Sequence, residues 1–150
     1  MPEESAVERA HEDAREGKSP STQAGEFVRE EIEHVREGKH GARNPKQAIA
    51  IGLSKARRAG INLPPPGKGS SARVRKKAAQ DSRRSRSRSY RSRTRSRATS
   101  RVLKREPRAT ASTRALSHQA RTAARRRGSA SRRRAAQKAV RTKRRSRRNS

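Results

Sequence analysis

The chain has 150 residues, of which 27% are hydrophobic and 37% charged, with one Phe, one Tyr, no Trp and a net charge of +30. So thin an apolar complement excludes one large hydrophobic core. The absence of Cys excludes disulfides and thiolate metal sites.

The charge is divided along the chain. Residues 1–40 hold 11 acids and 6 Lys/Arg, a net of −5, and residues 41–150 hold 2 acids and 37 Lys/Arg, a net of +35. This division predicts a basic tail carried by a different kind of module. The N-terminus lacks the basic start and apolar run of a secretory signal, and the longest apolar run, Ala48–Ile51, is far short of a membrane span. The expectation is a soluble, cytoplasmic protein with no membrane partner.

In chain order, residues 1–18 form an acidic segment. A short helix is expected within it, carrying a small stripe of Ala6, Val7, Ala10 and Ala14 and ending at Gly17. Residues 19–63 predict a helical hairpin. Ser19-Pro20 opens its first helix, near 20–37, with Ala24, Phe27, Val28, Ile32 and Val35 on one face and Gly38 as the left-handed cap. Asn44-Pro45 opens the second, near 45–59, with Ala48, Ile49, Gly52, Leu53, Ala56 and Ala59 as its stripe. Ile61 and Leu63 are placed to fold back before Pro64-Pro65-Pro66 forces an extended exit.

Residues 64–108 read as a Pro/Gly- and then Arg/Ser-rich disordered linker, because like charges at every second position of SRRSRSRSYRSRTRSR repel. Residues 109–150 are an Ala/Arg-rich basic tail. Its helices, over 109–127 and 131–145, are expected only when bound phosphate neutralises the arginines. The expected fold class is therefore mostly α and disordered: a small hairpin followed by an Arg-rich low-complexity tail with conditional helices.

The tail is the strongest functional signal. Of 43 basic residues, 33 are Arg, whose planar fork of donors suits phosphate. The candidate phosphate contacts are Arg83, Arg84, Arg86, Arg88, Arg91, Arg93, Arg95 and Arg97, then Arg125, Arg126, Arg127, Arg132, Arg133 and Arg134, then Arg144, Arg145, Arg147 and Arg148. Lys46, Lys55, Arg57 and Arg58 are possible contacts from the hairpin. One Tyr and one Phe cannot build a base-stacking platform, so recognition is expected to lack sequence preference, with DNA favoured over RNA. A helix-turn-helix with 45–59 as recognition helix is the lesser alternative, since its partner helix is acidic.

Two Glu-x-x-His pairs, Glu8…His11 and Glu31…His34, share the ligand spacing of di-iron bundles, but they are not set among four long apolar helices. No metal and no cofactor is expected. There is no Walker loop or dinucleotide fingerprint, so an enzyme is the least favoured class. The expected function is a nucleoid-associated or DNA-compacting protein. The alternatives are a protein-interaction module (the hairpin, self-associating or bound to a partner) tethered to nucleic acid by the tail, or an RNA- or ribosome-associated factor.

The stretch SPSTQAGEFVREEIEHVREGKHGARNPKQAIAIGLSKARRAG, residues 19–60, resembles a family of short basic bacterial proteins of uncharacterised function. The shared core is an acidic helix, a GKHG loop and KQAIAIGLSKARRAG. The resemblance implies a bacterial source and no reaction, cofactor or site residue. The tail resembles linker-histone tails and protamines in composition only.

Overall fold

Two cap-then-proline pairs start the central helices. The Ser19 hydroxyl accepts the Thr22 amide at 3.4 Å and Pro20 takes the first helical position, where a missing amide proton costs nothing. The helix α2, Pro20–Glu37, stops at Gly38, whose φ of 79° lies in the left-handed region that glycine enters without steric cost. The Asn44 side chain accepts the Gln47 amide at 3.0 Å and starts α3, Pro45–Arg58. An N-terminal helix, α1, Glu4–Arg15, precedes this pair. The computed structural model describes residues 4–85 and 92–148.

The three helices bury two apolar clusters. The first joins Ala6 and Ala10 of α1, Ala24 and Phe27 of α2 and Ala56 of α3, with Ile61 and Leu63 folded back on it. The second joins Val35, Ala42, Ala48 and Ala111. Of ten buried hydrophobic residues, eight are Ala, so the helices approach closely and each contact removes little area from water. Closest approach falls at Gly52, where a Cβ would stand 2.6 Å from the Val28 Cα and 2.9 Å from the Phe27 carbonyl oxygen. The glycine in the second stripe is thus the contact point of the α2 and α3 backbones.

The chain beyond the hairpin corrects the expected fold class. The segments read as disordered linker and conditional tail are helical: α4, Ala72–Ser85; α5, Arg93–Arg105; and α6, Thr113–Arg148, with a single 3-10 turn at Ala109–Ala111 between the last two. Serines in the segments read as linker and tail act as helix caps. Ser71 accepts the Val74 amide, Ser92 the Arg95 amide and Ser112 the Ala115 amide, at 3.3–3.4 Å. In a helix, neighbouring arginines fan out around the axis, and a like-charge pair four residues apart costs only about 0.2–0.5 kcal/mol. Ala and Arg stand near the top of the helix scale, and that preference wins. One backbone break interrupts α6, at Gly128 (φ 74°, ψ 165°), so two arms lie on either side of it.

Parts of the tail also pack on the hairpin. Asp81 of α4 is 1% exposed and accepts hydrogen bonds from Ser54 of α3 and from Lys77, both at 2.7 Å. The Gly41 amide donates to the Leu103 carbonyl at 2.8 Å, and the Ala42 amide to the Pro107 carbonyl at 3.1 Å. Arg36 Nε donates to the Ala111 carbonyl at 3.0 Å. A Cβ at Gly41 would collide with the Glu106 backbone, so this loop position admits the tail only as glycine. The span 64–108 is therefore no simple linker: its described ends dock on α3 and on the loop after α2. The docking runs through backbone carbonyls and one Asp, with only the small side chains of Ala78 and Ala111 buried beside them, which leaves little hydrophobic signature in the sequence.

Candidate nucleic-acid interface

The α6 helix carries the most charge. Fifteen of its 36 residues are Lys or Arg and none is acidic. All fifteen are exposed. In its second arm, Arg134, Lys138, Arg141, Arg145 and Arg148 recur at steps of four, three, four and three residues, which sets them on one helical face. Arg144 adjoins that face, and Arg141, Arg144, Arg145 and Arg148 line a shallow surface depression. The 20 residues after Gly128 span about 30 Å at 1.5 Å per residue. In the first arm, Arg114, Arg121 and Arg125 share one face.

Most of the candidate phosphate contacts fall on three helices. Arg125, Arg126, Arg127, Arg132, Arg133, Arg134, Arg144, Arg145, Arg147 and Arg148 are exposed on α6. Arg93, Arg95 and Arg97 are exposed on α5, and Arg83 and Arg84 on the last turn of α4. Arg86, Arg88 and Arg91 lie outside the described residues. After residue 41 the sequence holds two acids, Asp81 and Glu106. Asp81 is taken by Ser54 and Lys77, while Glu106 stands 3.7 Å from Arg43. The tail's cations therefore far outnumber the carboxylates available to them.

The hairpin's basic residues do not form a matching surface. Lys46 is exposed, but Arg57 and Arg58 are half-buried, and Arg58 Nε donates to the Ser54 carbonyl at 3.2 Å. Lys55 is a correction to the expected set, because it points inward. Its ammonium lies 2.7 Å from Glu30 and 2.8 Å from Glu31, two carboxylates that are 2% and 1% exposed. Burial pulls the Lys55 pKa down, but hydrogen bonds to Glu30 and Glu31 outweigh it and hold the ammonium above its ordinary value. Gln47 accepts the Arg43 amide, and Ser54 is spent on Asp81. A recognition helix at 45–59 would need those side chains free, and α4 packs on the same helix. The helix-turn-helix alternative loses its reading face.

The acidic N-terminal half is also engaged locally. Arg9 of α1 pairs with Glu26 of α2 at 2.6 Å, and Lys18 with Asp13 and Glu16 at 2.7 Å, which holds the Lys18 ammonium above its ordinary value. Glu31, four residues from both Phe27 and Val35 and so within the apolar stripe, and its neighbour Glu30 are the most buried charges of α2. Around Glu31 gather His34 and His40, with one ligand-capable atom from each of the three within 4.8 Å of the others. The sequence offered two of its three members as the Glu31…His34 pair. His40 joins it only because the Gly38 cap reverses the chain.

Residues 17–66 match the model of a family of unknown function (DUF6496). The match covers a third of the chain, encloses the α2–α3 hairpin and stops before α4. No curated protein and no solved structure shows significant similarity to the chain. Among the described residues, no helix is long and apolar enough to cross a membrane.

Proposed function

We propose that the protein binds nucleic acid through its phosphate backbone, DNA ahead of RNA and without sequence preference, as a nucleoid-associated or DNA-compacting protein of a bacterial cytoplasm. The observation that carries the reading is α6: fifteen exposed cations, no acid, and a basic face running along its second arm. Duplex DNA presents about one charge per 1.7 Å, so an arm of about 30 Å lies beside many phosphates and releases their condensed counterions on contact. The guanidinium forks donate charge-assisted hydrogen bonds to phosphate oxygens. Such contacts position a protein and carry no base information. The role is one of binding rather than catalysis.

A second reading gives the hairpin the leading part, as a protein-interaction or self-association module, with the tail as tether. The observation favouring it is that the family match covers the hairpin and leaves the tail out.

The test is a salt series on the full-length chain with a labelled mixed-sequence duplex and, in parallel, a single-stranded RNA. If about ten phosphates are engaged, log affinity falls against log salt with a slope near −9. Changing Arg141, Arg144, Arg145 and Arg148 to Gln keeps helix-forming side chains. At about 0.9 per phosphate contact, the variant flattens the slope by up to about 3.6. Affinity that is independent of salt refutes the proposal.

A further inference from the structure

Glu31 and His34 stand one turn apart on α2, and the loop after it returns the chain so that His40 Nε2 lies 3.0 Å from Glu31 Oε1. We propose that Glu31, His34 and His40 form a binding site for a divalent cation of the zinc class. The set of two imidazoles and one carboxylate is what zinc accepts from a chain without Cys. Two bonds of about 2.1 Å span at most about 4.2 Å, so three atoms already within 4.8 Å close on one ion by small side-chain rotations.

Three features separate this cluster from a chance meeting of polar groups. The first is charge. Glu31 is buried and takes the Lys55 ammonium on Oε2 at 2.8 Å, while its Oε1 faces His40. A divalent ion on Oε1 would bring positive charge to a carboxylate that is 1% exposed while Lys55 stays on Oε2. The second is orientation. His40 Nδ1 lies 3.0 Å from the Gly41 carbonyl, so that nitrogen carries its proton and Nε2 turns toward Glu31. A backbone carbonyl on the far ring nitrogen is the usual outer partner of a metal-bound His. The third is support. Gly41 is itself held by the Leu103 carbonyl and walled by the Glu106 backbone, so the loop that presents His40 is fixed by the tail.

The side chain of Glu31 is 1% exposed, and those of His34 and His40 are 12% and 17% exposed. The ion would therefore sit at the edge of the core, anchored from within by the carboxylate and completed from outside by water. Bound there, it ties the C-terminal turn of α2 to the loop on which residues 103–107 dock. The rival arrangement is a protonated His40 paired with Glu31 and no metal.

The test uses the full-length protein stripped with a chelator and titrated with Zn(II), with bound metal counted after dialysis and Co(II) as a spectroscopic probe. One Zn(II) per chain is expected, with the intense visible absorption of four-coordinate Co(II). The chain has four histidines, His11, His34, His40 and His118. A His11→Gln/His118→Gln double variant keeps only the proposed ligands and should retain both stoichiometry and the Co(II) spectrum. His34→Gln and His40→Gln should each weaken Zn(II) by more than the 10–100-fold that loss of an outer partner costs, on the order of 100-fold or beyond. Absence of stoichiometric Zn(II) in the wild-type chain overturns the proposal and leaves the His40–Glu31 pair. So does metal binding that disappears with His11 and His118. The double variant decides the matter even if a ligand substitution fails to fold.

Discussion

Replacing Lys55 with Met tests whether one buried ammonium holds α2 to α3. Met keeps much of the alkyl stem and removes the charge. In the folded chain Lys55 is 13% exposed and lies 2.7 and 2.8 Å from Glu30 and Glu31, which are 2% and 1% exposed. Removing one partner of a buried pair strands the other charge, at a cost of about 3–5 kcal/mol. The apolar core, mostly alanine, has little surplus burial to offset that loss. For a cooperative unit of 60–100 residues, 1 kcal/mol moves the melting temperature by about 4–8 °C. Lys55→Met should therefore lower it by at least about 12 °C. The assay is thermal unfolding in the presence of a chelator, joined to hydrogen exchange of the α2 and α3 amides. The triple variant Glu30→Gln/Glu31→Gln/Lys55→Met removes all the charges together and should recover part of the stability. A Lys55→Met chain that melts within about 3 °C of wild type would show that the ion pair does not hold the helices, and the reasoning fails.

Two glycines should respond with opposite signs. At Gly52 a Cβ meets the α2 backbone, so Gly52→Ala overpacks the crossing by up to about 3 kcal/mol, more than the ~1 kcal/mol of helix propensity it gains. At Gly25 a Cβ meets nothing within 4 Å, so Gly25→Ala should stabilise by up to about 1 kcal/mol; chemical denaturation of both variants checks the pair. Ser54→Ala withdraws a hydrogen bond from the buried Asp81, costing about 1–3 kcal/mol and loosening α4 from α3, which limited proteolysis within α4 would report as faster cleavage. Gly128→Ala removes the residue that alone tolerates the break in α6. The helix should then run on, and the distance between spin labels near its ends should approach the ~54 Å of 36 straight helical residues.

Local signals carried the hairpin. Ser19-Pro20, Gly38 and Asn44-Pro45 mark helix ends through short-range chemistry that needs no tertiary partner: α2 runs from the first to the second, and α3 starts at the third. The tail misled because alternate-residue repulsion was weighed as if the chain were extended. Helix propensity and the serine caps, each a local property too, act in the other direction and prevail. Glu31 shares the face of Phe27 and Val35, which marks it for burial, but nothing local shows that a lysine 24 or 25 positions away is brought against it and Glu30.

Composition and near neighbours were enough to set the starts and stops of the hairpin helices, the split of charge between the two ends, and the abundance of arginine in the tail. Tertiary contacts were needed to turn Lys55 inward, to clasp Asp81 against Ser54, and to seal the loop bearing His40 with residues 103–107. Each of these is a polar contact between distant segments. A polar side chain far from its partner looks the same in the sequence whether it ends in water or in the core.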